Sequence, residues 1–255
     1  VRRAISQIKG GGLARMASPA KVVSLILSDV VGDDLASIAS GPTVLETSSP
    51  EAAMQVLKCH GIWERAPAGV RRALSHEREP KEGVAPPTNI LVGTNRHAIE
   101  AARRAAGEIG FPVQVLTYEM QGEARHVGQE FGRRMRSLSP PACRIMGGET
   151  TVTVQGDGLG GRNQEFALGA ATEIDGAHAV AVMAFATDGV DGPTDAAGAI
   201  VTGGTLAAAR DEGLDTELAL SQNNAYPLLD ALDCLIRSGP TGTNLNDVCV
   251  GLAYP

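Results

Sequence analysis

Aromatic residues are scarce: the 255-residue chain has one Trp, three Tyr and four Phe, 3% in all. Its core must therefore be built from Ala, Val, Leu and Ile, a composition suited to helices packed closely on a sheet. Paired cysteines are absent too. Cys59, Cys143, Cys234 and Cys249 are far apart in apolar contexts, and no CxxC or Cys/His pair has metal spacing. That excludes a disulfide scaffold and a zinc module, and predicts buried free thiols in a reducing compartment. There is no excess of positive charge: 22 Lys and Arg against 29 Asp and Glu give a net charge of −7. A general nucleic-acid surface would be basic and is excluded, while local loops can still hold a small anion. No apolar run is long enough to span a membrane and no signal peptide is seen, so the expectation is no membrane partner and a cytoplasmic location. The first residue is Val1 rather than Met, which predicts a processed chain or part of a longer one. The 31 Gly and 14 Pro form no repetitive tract, so the glycines read as loops with a purpose.

What is present alternates between apolar strands and helical patterns. Lys21 to Ser28, KVVSLILS, is a continuous apolar run that predicts a strand buried on both faces of a parallel sheet. Ser49-Pro50 predicts a helix start, with Ser49 as cap and a helix to about His60. A second helix is expected from Pro67 to His76, and Glu77 to Thr88, charged and Pro-rich, reads as a linker. After it come a strand at Asn89 to Gly93, a helix at Arg96 to Ile109, a strand at Val113 to Thr117 and a helix at Gly122 to Arg136. Short strands are predicted at Arg144 to Met146 and, alternating, at Thr150 to Gln155. A helix with Phe166, Ala170 and Ile174 on one face follows, then a solid strand at Ala179 to Ala186. Two or three helices fill Gly203 to Arg237, and a strand-like segment, Val248 to Ala253, closes the chain. The fold class is α/β.

Ligands of open α/β sheets bind beyond the carboxyl ends of strands, which directs attention to five loops. In Ser28 to Asp34, Asp29 suits a water-mediated Mg²⁺ contact or general base, or merely braces a turn while Asp33 caps a short helix. Gly147-Gly148-Glu149-Thr150 allows close ligand approach or a tight bend. Gly156-x-Gly158-x-x-Gly161 has dinucleotide spacing. However, the preceding TVTVQ alternates, and no acid ends the next strand at the expected distance, Asp175 falling before that strand and Asp188 too far on. What survives is a glycine-rich helix entrance suited to an anion, with Arg162 beside it, or a Gly-Asp-Gly turn. Thr187 to Asp195 places Asp188, Asp191 and Asp195 within one loop, a hard-cation site without the EF-hand pattern or an acidic solvated turn. Ser238 to Asp247, with Thr241, Thr243 and Asn244, suits hydrogen bonding to a phosphate or polyol, or a capped Pro/Gly turn. The five histidines, His60, His76, His97, His126 and His178, are scattered and carry no assigned role.

Taken in order, SDVVGDDLASIASGPT, GGETTVTVQGDGLGGRNQE, ATDGVDGPTDAAGA and TGTNLNDV resemble the class II glycerate kinases, the glycerate 2-kinases whose C-terminal part is called the MOFRL domain. The resemblance covers essentially the whole chain and about the C-terminal three-fifths of a typical member. It implies ATP- and Mg²⁺-dependent phosphorylation of D-glycerate to 2-phosphoglycerate by two α/β domains with the active site in their cleft. Residues 1–88 would be the end of the first domain plus linker, and 89–255 the second, with a MOFRL-like core at about 142–250. The family's glycine-rich GGGSAL-type loop and catalytic lysine would lie in a preceding region, leaving this chain with part of a catalytic site. On that reading Arg162 holds the phosphoryl group or glycerate carboxylate, and Gly158, Gly160 and Gly161 supply N–H donors. Asp188 and Asp191 hold Mg²⁺, Asp29 binds metal or orients the 2-hydroxyl, and Glu149, Thr241, Thr243 and Asn244 contact substrate or nucleotide. A homodimer is compatible with it. Family members are often labelled hydroxypyruvate reductases, so an NAD(P)H-dependent reductase is the alternative, with a non-catalytic module for acidic ligands as the third.

Overall fold

A computed structural model describes residues 1–45, 49–75 and 84–255 of the chain. It divides into two compact units, Val1–Val92 and Gly93–Pro255. His76 and most of the Glu77 to Thr88 linker lie outside the described residues.

The first unit carries α1 (Arg2–Ile5), α2 (Gly12–Ala17), β1 (Val23–Leu27), α3 (Pro50–Cys59), α4 (Ala68–Leu74) and β2 (Thr88–Gly93). Ser49 caps α3 as its position before Pro50 predicts, its hydroxyl accepting from the Ala52 N–H at 3.3 Å. A small core of Ala4, Ala53 and Leu74 is backed by Leu57, Trp63 and Val70. The KVVSLILS strand departs from expectation. Among the described residues β1 pairs with β2 in a two-stranded sheet, and Val23, Leu25 and Leu27 are exposed rather than buried on both faces.

The second unit carries α5 (Asn95–Glu108), β3 (Val113–Met120), α6 (Ala124–Arg136), β4 (Ala142–Gly148), α7 (Arg162–Ile174), β5 (Val180–Ala186), β6 (Gly198–Thr202), α8 (Thr205–Asp211), α9 (Thr216–Ser221), α10 (Ala225–Ala231), β7 (Leu235–Ile236) and β8 (Asp247–Ala253). Its six-stranded sheet has the order β3-β4-β8-β5-β6-β7. β3 and β4 are parallel, whereas β8 inserts antiparallel between β4 and β5. The carboxyl ends of β3, β4 and β5 therefore share one edge with the start of β8. Cys143, Ile145 and Val248 face a layer containing Ile99 and Ala106 of α5. Ala142, Met146 and Cys249 face the larger core around α6 and α7. Covering both faces is what makes β4 and β8 mainly apolar, Arg144 and Asp247 excepted. α7 is the central helix: Phe166, Ala167, Leu168, Ala170, Ala171 and Ile174 are all fully buried, as expected where a helix is apolar all round, here from Phe166 to Ala171.

Three further expectations change. Thr150 to Gln155 is not a strand; one bridge joins Thr151 to Glu123. Its amides go elsewhere, that of Thr153 to the Glu123 carboxylate and that of Gln155 to Asn223. β6 falls where no strand is expected and β7 in a stretch read as helix, because strands of five and two residues leave little periodic signal. All four cysteines are free, but Cys59 is exposed on α3 and only Cys143 and Cys249 are buried.

Candidate functional site

The shared sheet edge gathers four of the five loops singled out above. The Thr187 hydroxyl donates to the Asn246 carbonyl at 2.7 Å and accepts from the Leu245 N–H at 2.7 Å. The Thr241 hydroxyl donates to the Thr187 carbonyl at 2.6 Å, and the Thr241 N–H to the Asp188 carbonyl at 3.0 Å. The Asn244 side chain accepts from the Asn246 N–H at 3.0 Å. Thr241 and Asn244 thus fold this loop and fasten it to the strand end. The Thr243 amide donates weakly to the Thr241 hydroxyl.

Arg162 opens α7 at the centre of this edge. Its Nε donates to Asp247 Oδ2 at 2.6 Å and its Nη2 to Oδ1 at 2.9 Å, a two-pronged pairing. On the solvent side Nη1 lies 3.1 Å from Glu149 Oε1. The Asp247 side chain is wholly buried, while that of Glu149 is 42% exposed. Burial opposes the Arg162 charge, but the Asp247 bonds and the Asp247 and Glu149 charges outweigh it, raising the guanidinium's pKa. Burial also lifts the Asp247 carboxyl above the ordinary aspartate range, with the Arg162 bonds pulling against it. Asn95 braces the arrangement from α5: its Nδ2 donates to the Leu245 carbonyl at 2.7 Å and the Asp247 carbonyl at 3.0 Å.

The anion expected at the entrance of α7 is already there, and the chain supplies it. Asp191 is buried, and its carboxylate accepts from the Asn163 N–H at 3.1 Å, the Gln164 N–H at 2.9 Å and Asn163 Nδ2 at 3.2 Å. The helix dipole and its open amides favour a carboxylate there. Gly161 admits it, since a Cβ would fall 2.3 Å from the Asp191 carboxyl carbon. Desolvation raises the Asp191 carboxyl to about 6, the two amide bonds opposing it and the Asp247 charge adding to it. This use of Asp191 as a helix cap differs from the Mg²⁺ role expected of it. Asp188 is half-buried, with Oδ1 accepting from the Val190 N–H at 3.0 Å. Among the described residues no three His, Cys, Asp or Glu side chains converge to hold a metal ion.

The glycine loop is likewise shaped by the protein itself. The Gly158 N–H donates to the Gln222 carbonyl at 3.0 Å, so it is not the free donor expected. The Gly156 and Leu159 amides go to the side chains of Asn223 and Asn224. A Cβ on Gly158 would lie 2.4 Å from the Gln222 carbonyl oxygen. The spacing that resembles a dinucleotide fingerprint thus reflects a close backbone crossing, with Gly160 and Gly161 leading on into α7. Asp29 belongs to the first unit and is exposed just after β1. Asn95 and Asn223 lie outside the motifs, and Asp247 and Asn163 lie inside them but were given no role. The one available signal was Asp247, a charged residue opening a strand that is otherwise apolar.

The MOFRL family model matches residues 142–247. A second, described as Domain of unknown function (DUF4147), matches residues 1–75. A glycerate 2-kinase of Pyrococcus horikoshii is 43% identical over 99% of this chain and 60% of its own length. A glycerate kinase of Macaca fascicularis is 36% identical over 97% of this chain and 76% of its own length. The crystal structure of glycerate kinase from Thermotoga maritima superposes with a TM-score of 0.89 at 41% identity, covering 100% of this chain and 62% of that one. The chain spans about three-fifths of the length of the first two curated relatives it matches.

Proposed function

The chain belongs to the glycerate kinase family that carries the MOFRL segment, and on that premise we propose that the protein containing it phosphorylates D-glycerate at the 2-hydroxyl, with ATP as donor. The γ-phosphorus–oxygen bond to ADP breaks, a bond from phosphorus to the glycerate oxygen forms, and the hydroxyl proton leaves. Such transfer depends chiefly on positioning and on stabilising charge. The observation that carries the proposal is the Arg162 guanidinium at the sheet edge. Two of its nitrogens are fixed from the buried side by Asp247, and the third faces the half-exposed Glu149. A phosphoryl or carboxylate oxygen takes the place of Glu149 at Nη1, while Asp247 keeps the planar fork in register.

Asp191 already caps α7 through both of its carboxylate oxygens, so Mg²⁺ would accompany the nucleotide phosphates. Mg²⁺ of this kind needs one or two carboxylates and keeps several waters. Asp188 is the carboxylate proposed to face it. Thr243, Gly160 and Gly161 remain proposed contacts for substrate or nucleotide.

The test is to supply the complete protein with D-glycerate and ATP, and separately with hydroxypyruvate and NADH. The expected result is ADP and 2-phosphoglycerate, identified by ³¹P NMR, with no NADH oxidation. NADH oxidation without ADP would replace the kinase by the reductase.

A further inference from the structure

Asn223 lies between α9 and α10, outside every motif that carries the resemblance, yet it is the most heavily bonded side chain around the glycine loop. Its Oδ1 accepts from the Gln155 N–H at 2.6 Å and the Gly156 N–H at 3.1 Å. Its Nδ2 donates to Glu165 Oε1 at 2.7 Å and to the Thr153 carbonyl at 3.4 Å. Next to it Asn224 Oδ1 accepts from the Leu159 N–H at 2.9 Å, and the Gln222 carbonyl from the Gly158 N–H at 3.0 Å. Four amides in the five residues from Gln155 to Leu159 are therefore spent on residues 222–224. Glu165 stands one helical turn after Arg162 on α7. It is buried, and Nε of Arg125 lies 3.6 Å from its second oxygen. A buried carboxylate costs free energy unless it is bonded. Its direct hydrogen bond to Asn223 joins the loop clamp to the helix that bears Arg162.

We propose that Asn223 is a positioning residue for Arg162: bonded to Glu165 of the same helix, it fixes the Gln155-to-Gly161 loop whose far end sets the first turn of α7. The proposal rests on the kinase reading for its kinetic consequence, and on the hydrogen bonds alone for the clamp. Asn223 also adopts a left-handed backbone, with φ 53°. Glycine tolerates that conformation as readily as asparagine does. Asn223→Gly thus keeps the turn and removes only the side chain.

The experiment compares wild type, Asn223→Gly, Arg162→Lys and the double variant in the complete protein, with D-glycerate and ATP. Asn223→Gly is expected to lower kcat by roughly 10- to 10²-fold, the scale of a misplacement remote from the chemistry. It should cause much less further loss in the Arg162→Lys background, because residues acting as a unit are not additive. Unchanged kcat in Asn223→Gly would overturn the proposal, and so would the same fold-loss in both backgrounds. Amide hydrogen exchange separates this result from a failure of the kinase reading. Faster exchange at Gln155, Gly156 and the first turn of α7 in Asn223→Gly supports the clamp even if wild type turns over no glycerate. Unchanged exchange there removes it.

Discussion

At the residue scale, the chain keeps its own charges on the groups that would receive a ligand's. Glu149 faces solvent and holds one nitrogen of Arg162, so it competes with an incoming anion. An ion pair this exposed contributes about 0.2–1 kcal/mol. Glu149→Gln should therefore lower KM for the anionic substrate by roughly 1.4- to fivefold with kcat little changed, which steady-state kinetics will show. Asp191 gives a pH signature. Its folded value of about 6 stands above the ordinary 3.8. Between the two values the folded chain holds more protons than the unfolded chain. Its contribution is complete below about pH 4 and is lost as pH rises through about 6. Urea midpoints from pH 4 to pH 7 should fall for wild type relative to Asp191→Asn, and parallel curves would contradict that account. Arg162 was legible in the sequence as a fork at a helix entrance. Asp191 and Asp247 were visible as loop acids, but their pairing with the first turn of α7 and with Arg162 was not. Spacing along a chain does not say whether the anion at a helix terminus is a ligand or the chain's own carboxylate, nor which acid a guanidinium finds 85 residues away.

At the scale of elements, α7 joins core to site, since its interior face packs the unit while its first turn carries Arg162. Phe166 is fully buried, with its ring centroid 5.7 Å from that of Phe131 on α6. Phe166→Ala should cost about 3–5 kcal/mol, measured as a lowered denaturant midpoint with an unchanged slope. Most helices and the strands β2 to β5 were readable because periodicity and apolar runs mark them to within a few residues. The misreadings share a cause in tertiary pairing. TVTVQ alternates like a strand, but Glu123 and Asn223 take two of its amides before a ladder can form. KVVSLILS has the composition of a central strand, but its outward side chains are exposed. The antiparallel insertion of β8 between β4 and β5 was equally hidden, because it depends on pairings far apart in the sequence, such as Ala142 with Ala253 and Val180 with Ala253.

At the scale of the whole molecule, an α/β architecture and membership of the glycerate kinase family agree with the sheet edge where four motif loops converge. Among the described residues no helix is long and apolar enough to cross a membrane. The family motifs were legible as strings. The convergence of the three that lie in the second unit became visible only with the sheet, in which the start of β8 lies beside the ends of β4 and β5. The central claim is that the Asp247-held guanidinium of Arg162 stabilises the charge of the transferring group. Its most direct measurement is the rate of ADP formation from ATP and D-glycerate by the complete protein, wild type beside Arg162→Ala. A loss of roughly 10²–10³ in kcat is predicted, the scale of removing one charge-stabilising donor; near-full activity in Arg162→Ala would contradict the account.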